Sequence, residues 1–368
     1  MQKQILFLAS SLLLTGLFTT LPPAAQSVEV MLLSQRESNQ QLNDLLRRGR
    51  ELADSGNYAQ AIATYQQAAY LDARNPKIFS GIGYLNARQG NFREAARAYQ
   101  QAIALESNNA EFHYALGYTL ANVGDDAGAA AAYRRASTLD TNNVNTYLGL
   151  AVVLLRQKDY NGAIDAYRQI LRLQPRNSEV YELIGSALLQ QGRTDEAIRA
   201  LEQAAKLAPR ESRVQLSLGT AWLREGNVTA GLAAFEQAAR LAPRNAQVHF
   251  QIGKILQSRD DVSGALQAFR QAVSLEPNSV EAQTSLGELL LAQENYVEAI
   301  AVYRRVTELA PQNPKAFYNL GVALKGRDRT TEAIAALEKA RDLYRRQSEE
   351  DGVRQAESLL RELKKSRS

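Results

Sequence analysis

The 368-residue chain contains no cysteine, a single tryptophan, two histidines and two methionines. Without a thiol there is no disulfide, iron–sulfur cluster, thiolate zinc site, cysteine nucleophile or lipid-bearing N-terminal cysteine. Charge of one sign is also scarce. The 43 basic and 39 acidic residues leave a formal net charge of +4, a weak field over this length, and no nucleic-acid partner is expected. No GxGxxG, P-loop or HExxH motif occurs. What is present is apolar: 45% of residues are hydrophobic and 22% charged, enough to fold and too little charge for disorder.

The N-terminus is set apart from the rest. Lys3 precedes an apolar run from Ile5 to Leu21, then Pro22, Pro23 and small residues. This is the layout of a secretory signal peptide over residues 1–27, with Ala25 and Ser27 flanking a cleavage site and Val28 as the mature N-terminus. The alternative is an uncleaved anchor, since no charge falls between Lys3 and Glu29. Either way the remainder is expected to be exported, periplasmic or secreted, or membrane-associated through that segment or a membrane-protein partner. Residues 28–41 are expected to be a linker.

From Leu42 the chain repeats every 34 residues, nine times without insertion, to residue 347. Counting positions from Leu42, position 8 is glycine in eight units (Gly117, Gly185 and Gly253 among them) and alanine at Ala151. Position 20 is small, as at Ala129 and Ala265, and position 24 is bulky, as at Tyr99, Tyr133 and Phe269. Glycine inside a helix costs about 1 kcal/mol relative to alanine, so a recurrent glycine signals a neighbour too close for a side chain. The unit is therefore a tightly crossed helix pair. Gly56-Asn57 and Gly90-Asn91 turn between its helices. Asn75-Pro76 and Asn313-Pro314 read as an N-cap followed by proline at the first helical position.

This pattern resembles the tetratricopeptide repeat (TPR) family. The resemblance implies an all-α, right-handed solenoid of nine hairpins with a concave groove. One hairpin cannot bury its own apolar face, so the last needs a lid. Residues 348–368 supply it, with Val353, Ala356, Leu359, Leu360 and Leu363 at helical spacing and a short basic tail after them. The export signal plus nine uninterrupted repeats is also similar in layout to the processing-associated TPR proteins (PratA) of photosystem II assembly.

With nearly every residue absorbed by the repeat, no enzyme activity and no cofactor are expected. His113 and His249 both occupy position 4, four repeats apart, where packing is the default. Trp222 is read as core. In TPR proteins positions 2, 5, 9, 12 and 13 build the groove. They give Tyr84, Tyr114, Tyr118, Leu148 and Val152 as an aromatic and aliphatic strip for a protein or peptide partner, with Arg88, Arg156 and Arg224 at position 13 for partner carboxylates. Phe250 and Lys254 extend the set. The carboxylate clamp of chaperone-binding TPR domains is missing, because Leu46 and Arg50 stand where lysine and asparagine are needed; the asparagine ladder of O-GlcNAc transferase retains only Asn319. Two further function classes stay open: a metal carrier for Mn²⁺ using Glu179 and Glu182, which share a helical face, and a module that assembles end to end.

Overall fold

The computed structural model describes residues 23–365, and all of their regular elements are α-helices. Residues 1–22, the greater part of the signal peptide or anchor expected over 1–27, lie outside the described residues. Two compact units are defined, the first ending at Gln157 and the second starting at Lys158. The first holds α1 (Pro23–Asp54), α2 (Tyr58–Leu71), α3 (Pro76–Arg88), α4 (Phe92–Leu105), α5 (Ala110–Val123), α6 (Asp126–Leu139) and α7 (Val144–Arg156). The second begins with α8 (Tyr160–Leu173), α9 (Ser178–Gln190), α10 (Thr194–Leu207), α11 (Ser212–Arg224), α12 (Val228–Leu241) and α13 (Ala246–Ser258). It continues through α14 (Val262–Leu275), α15 (Val280–Ala292), α16 (Tyr296–Leu309), α17 (Pro314–Lys325), α18 (Thr330–Arg346) and α19 (Glu350–Lys365). The 34-residue register predicted from the sequence is the register of these helices, and the fold class is all-α, helix hairpins repeated along each unit with a terminal capping helix.

The stretch 28–41, expected as a linker, is helical throughout and continuous with the first helix of repeat one. Pro23 occupies the first helical position, and no glycine or proline follows until Gly49. The intervening residues, rich in Gln, Glu, Leu and Arg, propagate a helix rather than interrupt it. The cleavage-site residues Ala25 and Ser27 fall inside this helix.

Each hairpin closes around one contact that repeats. A Cβ at Gly83 would stand 2.9 Å from the Tyr99 ring, at Gly117 2.9 Å from Tyr133, and at Gly253 2.6 Å from Phe269. Position 8 is thus empty so that the bulky position 24 of the same repeat can lie across the first helix. The small position 20 does its part through the backbone: a Cβ at Gly185 would come within 3.3 Å of the Ala197 carbonyl oxygen. Fully buried Tyr303, Phe235 and Phe269 show what the arrangement gains, each ring burying surface at about 25 cal/mol per Å².

The helix ends are fixed by position as well. The backbone at position 15 is left-handed in all nine repeats: in glycine at Gly56, Gly90, Gly124, Gly192 and Gly226, and in Lys158, Asp260, Glu294 and Asp328 elsewhere. First helices are capped as expected, with Asn75 Oδ1 accepting from the Lys77 N–H at 3.1 Å and Asn313 Oδ1 from Ala316 at 3.2 Å. At the far end α19 buries Val353, Ala356, Leu360 and Leu363. Its rim is pinned by Lys325–Glu362 at 2.7 Å and Lys364–Glu338 at 2.9 Å.

Candidate functional site

In the first unit, α3 and α5 run side by side and leave a cleft of about 290 Å³ between them. Tyr84, Arg88, Tyr114 and Tyr118 form its walls and Tyr99, from α4, its floor. Ala87 and Ala115 open it by being small. The four sequence-predicted residues therefore converge on one feature. Leu148 and Val152 lie on α7, which packs on α6 and touches α5, and both stay 40% and 39% exposed.

The tyrosines are not equivalent. Tyr84 is 54% and Tyr118 47% exposed, both at position 9. Tyr118 rests edge-on against Phe92, centroids 6.2 Å apart. Tyr114, at position 5, is half-buried and lies 5.8 Å from the Tyr133 ring. Burial pushes the Tyr99 phenol up to about 12, with Tyr84 adding to the rise, and burial raises Tyr133 further. Both phenols are therefore neutral hydrogen-bonding groups at physiological pH.

The position-13 arginines already have partners within the protein. Arg88 Nη2 donates to Tyr58 Oη at 3.1 Å and its guanidinium lies 5.8 Å from that ring's centroid. Arg156 Nη1 donates to the Ala121 carbonyl at 3.1 Å and to Asp126 Oδ1 at 3.3 Å. In the second unit Arg224 Nη1 donates to the Leu189 carbonyl at 2.7 Å. Ala121 and Leu189 both hold position 12, in repeats three and five, in the last turn of the first helix of the repeat before each arginine, where carbonyls lack intrahelical donors. Two of the three arginines thus act as caps from one repeat to the one before.

Other expectations are corrected. Phe250 is not on the groove surface: it is 5% exposed, its ring 5.8 Å from Phe269. Exposed Lys254 lies over it, Nζ 5.6 Å from the centroid. At position 5 the aromatics Tyr114 and Phe250 fold back onto the position-24 ring beneath them, Phe250 fully, whereas Leu148 stays exposed. Trp222 is half-buried. The metal candidates Glu179 and Glu182 do not act together. Glu179 is exposed, whereas Glu182 is buried, accepting from Ser217 Oγ at 3.3 Å and facing Arg213 Nη2 at 3.0 Å. That last approach lacks hydrogen-bond alignment, leaving Oε2 held by charge alone. Burial pushes the Glu182 carboxyl up; Arg213 and Ser217 pull it back in part, while Glu211 and Glu179 raise it again. Among the described residues no group of three His, Asp or Glu is placed to share a metal ion.

The histidines have a structural task that the sequence reading assigned to packing. His113 Nε2 donates to the Ser107 carbonyl and His249 Nε2 to the Pro243 carbonyl, each at 2.9 Å. Tyr147 Oη and Gln283 Nε2, also at position 4, make the same six-residue reach to Thr141 at 3.2 Å and Pro277 at 3.1 Å. Position 4 ties each of these first helices to its preceding loop. Tyr99 is legible in the sequence only as a bulky position-24 residue; its place at the floor of the cleft, and the contacts of Tyr58 with Arg88 and Phe92 with Tyr118, follow from the crossing of helices, which no single repeat displays.

Stacked helix hairpins whose first helices keep a partly apolar face uncovered define a repeat scaffold for protein–protein interaction. Sequence models of the tetratricopeptide repeat match residues 49–90, 87–124, 110–143, 143–210, 182–246, 250–314 and 290–350. The chain belongs to the tetratricopeptide repeat family, whose members are in general non-enzymatic scaffolds. No curated protein matches it. Among solved structures it is similar to a MamA protein, at 26% identity over 47% of this chain and 94% of that one, TM-score 0.44. It is also similar to YrrB, described as a TPR protein with an unusual peptide-binding site, at 22% identity over 52% and 98% of the two chains, TM-score 0.43. A third is pilF of Pseudomonas aeruginosa, at 23% identity over 55% and 92%, TM-score 0.46.

Proposed function

We propose that the protein is an exported scaffold or assembly factor that binds a segment of another protein across the groove face of its first unit. The observation carrying this reading is the pair Tyr84 and Tyr118, about half exposed on either side of a cleft, above position-24 rings, Tyr99 and Tyr133, that are buried. Tyrosine presents a large rigid surface with few rotors to freeze, which makes it an effective anchor contact. Export rests on the leader at residues 1–27.

The test is capture from native membrane and periplasmic extract, comparing wild type with a Tyr84→Ala/Tyr118→Ala variant of equal thermal stability. A protein retained by the wild type and lost by the variant is the expected result. Equal capture by both removes the groove from the reading. The mass of the endogenous protein in the same extract checks export: residues 28–368 are expected, and an intact leader would replace cleavage with an anchor.

A further inference from the structure

The groove positions of the first unit carry more positive than negative charge: Arg50, Lys77, Arg88 and Arg156 against Asp54 and Glu111. Positions 5 and 9 of repeats one to four carry Arg50 and no carboxylate, and position 13 carries Arg88 and Arg156 with Asp54 in repeat one. Glu111 shares position 2 with Lys77, neither acid lines the cleft itself, and Asp126 is engaged by Arg156. In the second unit the same positions include Glu182 and Glu288, so the bias belongs to the first unit and is not a property of the repeat.

Size narrows the occupant further. The cleft, at about 290 Å³, lies at the bottom of the range for small-molecule sites, about 300–1,000 Å³. It accommodates one anchoring side chain rather than a cofactor. Arg88 stands in the cleft wall, and its hydrogen bond to Tyr58 occupies Nη2. A guanidinium has five N–H donors in a planar fork and pairs with a carboxylate through two parallel bonds.

Building on the groove reading above, we infer that the cleft takes an acidic protein segment, one apolar or aromatic side chain seated between Tyr84 and Tyr118 and a neighbouring carboxylate on Arg88. The tyrosine rings give the anchor its apolar walls. The Tyr99 phenol on the floor, kept protonated by burial, contributes no repulsion toward the acid, and Arg88 fixes which residue lies beside the anchor. Because the arginines are exposed, their attraction is screened by salt.

The experiment titrates the full chain into four short fluorescein-labelled peptides, followed by anisotropy: Phe flanked by Asp, Phe flanked by Ser, Phe flanked by Lys, and Ala flanked by Asp. The Phe/Asp peptide is expected to bind at least about tenfold more tightly than either Phe/Lys or Ala/Asp, and to weaken as salt rises. Arg88→Gln is expected to bring Phe/Asp down to the level of Phe/Ser while leaving Phe/Ser unchanged. Equal or tighter binding of Phe/Lys overturns the acidic preference, as does a preference that survives Arg88→Gln; the groove reading then stands if Tyr84→Ala/Tyr118→Ala abolishes binding. Binding indifferent to the tyrosines, or no binding of any peptide at about 1 mM, overturns both.

Discussion

Aromatics at positions 5 and 9 lie one helical turn apart, yet they meet different fates. Tyr114 and Phe250 at position 5 settle on the position-24 ring of their own repeat, each 5.8 Å away, while Tyr84 and Tyr118 at position 9 remain about half exposed. The groove is therefore set by position 9 and framed by position 5. Glu182 is the polar counterpart at position 5: it too turns inward, and there a carboxylate is costly. Its folded pKa is raised above 4.5, so the folded state favours the protonated form. The sign follows from linkage: this stability is present below the unfolded pKa and is lost as pH rises through the folded one. Glu182→Gln, neutral at every pH, is expected to gain on the wild type in urea midpoint between about pH 4 and pH 7. A difference that is constant, or that shrinks with rising pH, would show that Arg213 compensates the charge fully.

The hairpin turn is the element at which nine repeats solve one problem with two residue classes. Position 15 is left-handed in every unit, at φ +81° in Gly90 and +56° in Glu294. A side chain there costs about 1–2 kcal/mol, offset in part by the lower chain entropy of a non-glycine residue before folding. Gly90→Ala is expected to lower stability by about 1 kcal/mol, and Glu294→Gly to raise it by about 0.5 kcal/mol, both read by thermal unfolding. Substitutions of the same sign at the two sites would mean that local contacts, not backbone conformation, decide the turn. Glycine at position 15 of repeats one and two was legible as a turn signal. That Lys158 or Glu294 adopts the same backbone was not, because neither residue prefers it, and only the register imposes it. The same contrast explains 28–41: nothing in that segment breaks a helix, but no repeat pattern announces one. Phe250 marks the limit on the site. Position alone places it in the groove, and its contact with Phe269 removes it.

At the scale of the molecule, stability in a stack of repeats is close to a sum of each unit and its interfaces, so the ends matter most. The period, the small position 8 and the bulky position 24 were enough to read the fold class, because they recur too often to be chance. The partner was not legible, since those positions are consumed by packing and carry no record of what is bound. The C-terminal end shows how the sum is closed. Leu360 and Leu363 join the core that contains Leu320, Leu324 and Leu337, and Gly352 lets α19 approach the Tyr344 ring. Burial of each leucine is worth about 1.5–3 kcal/mol, against which the ordering of the helix must be set. Deleting residues 348–368 is therefore expected to destabilise the second unit by about 2–4 kcal/mol and, by uncovering the leucines, to make the truncated chain self-associate more than the full chain. Light scattering and urea unfolding of the truncated chain measure the two effects separately. Unchanged unfolding would show that α19 shields the end without stabilising it, and unchanged mass that the exposed face of the last repeat is too small to recruit a second copy.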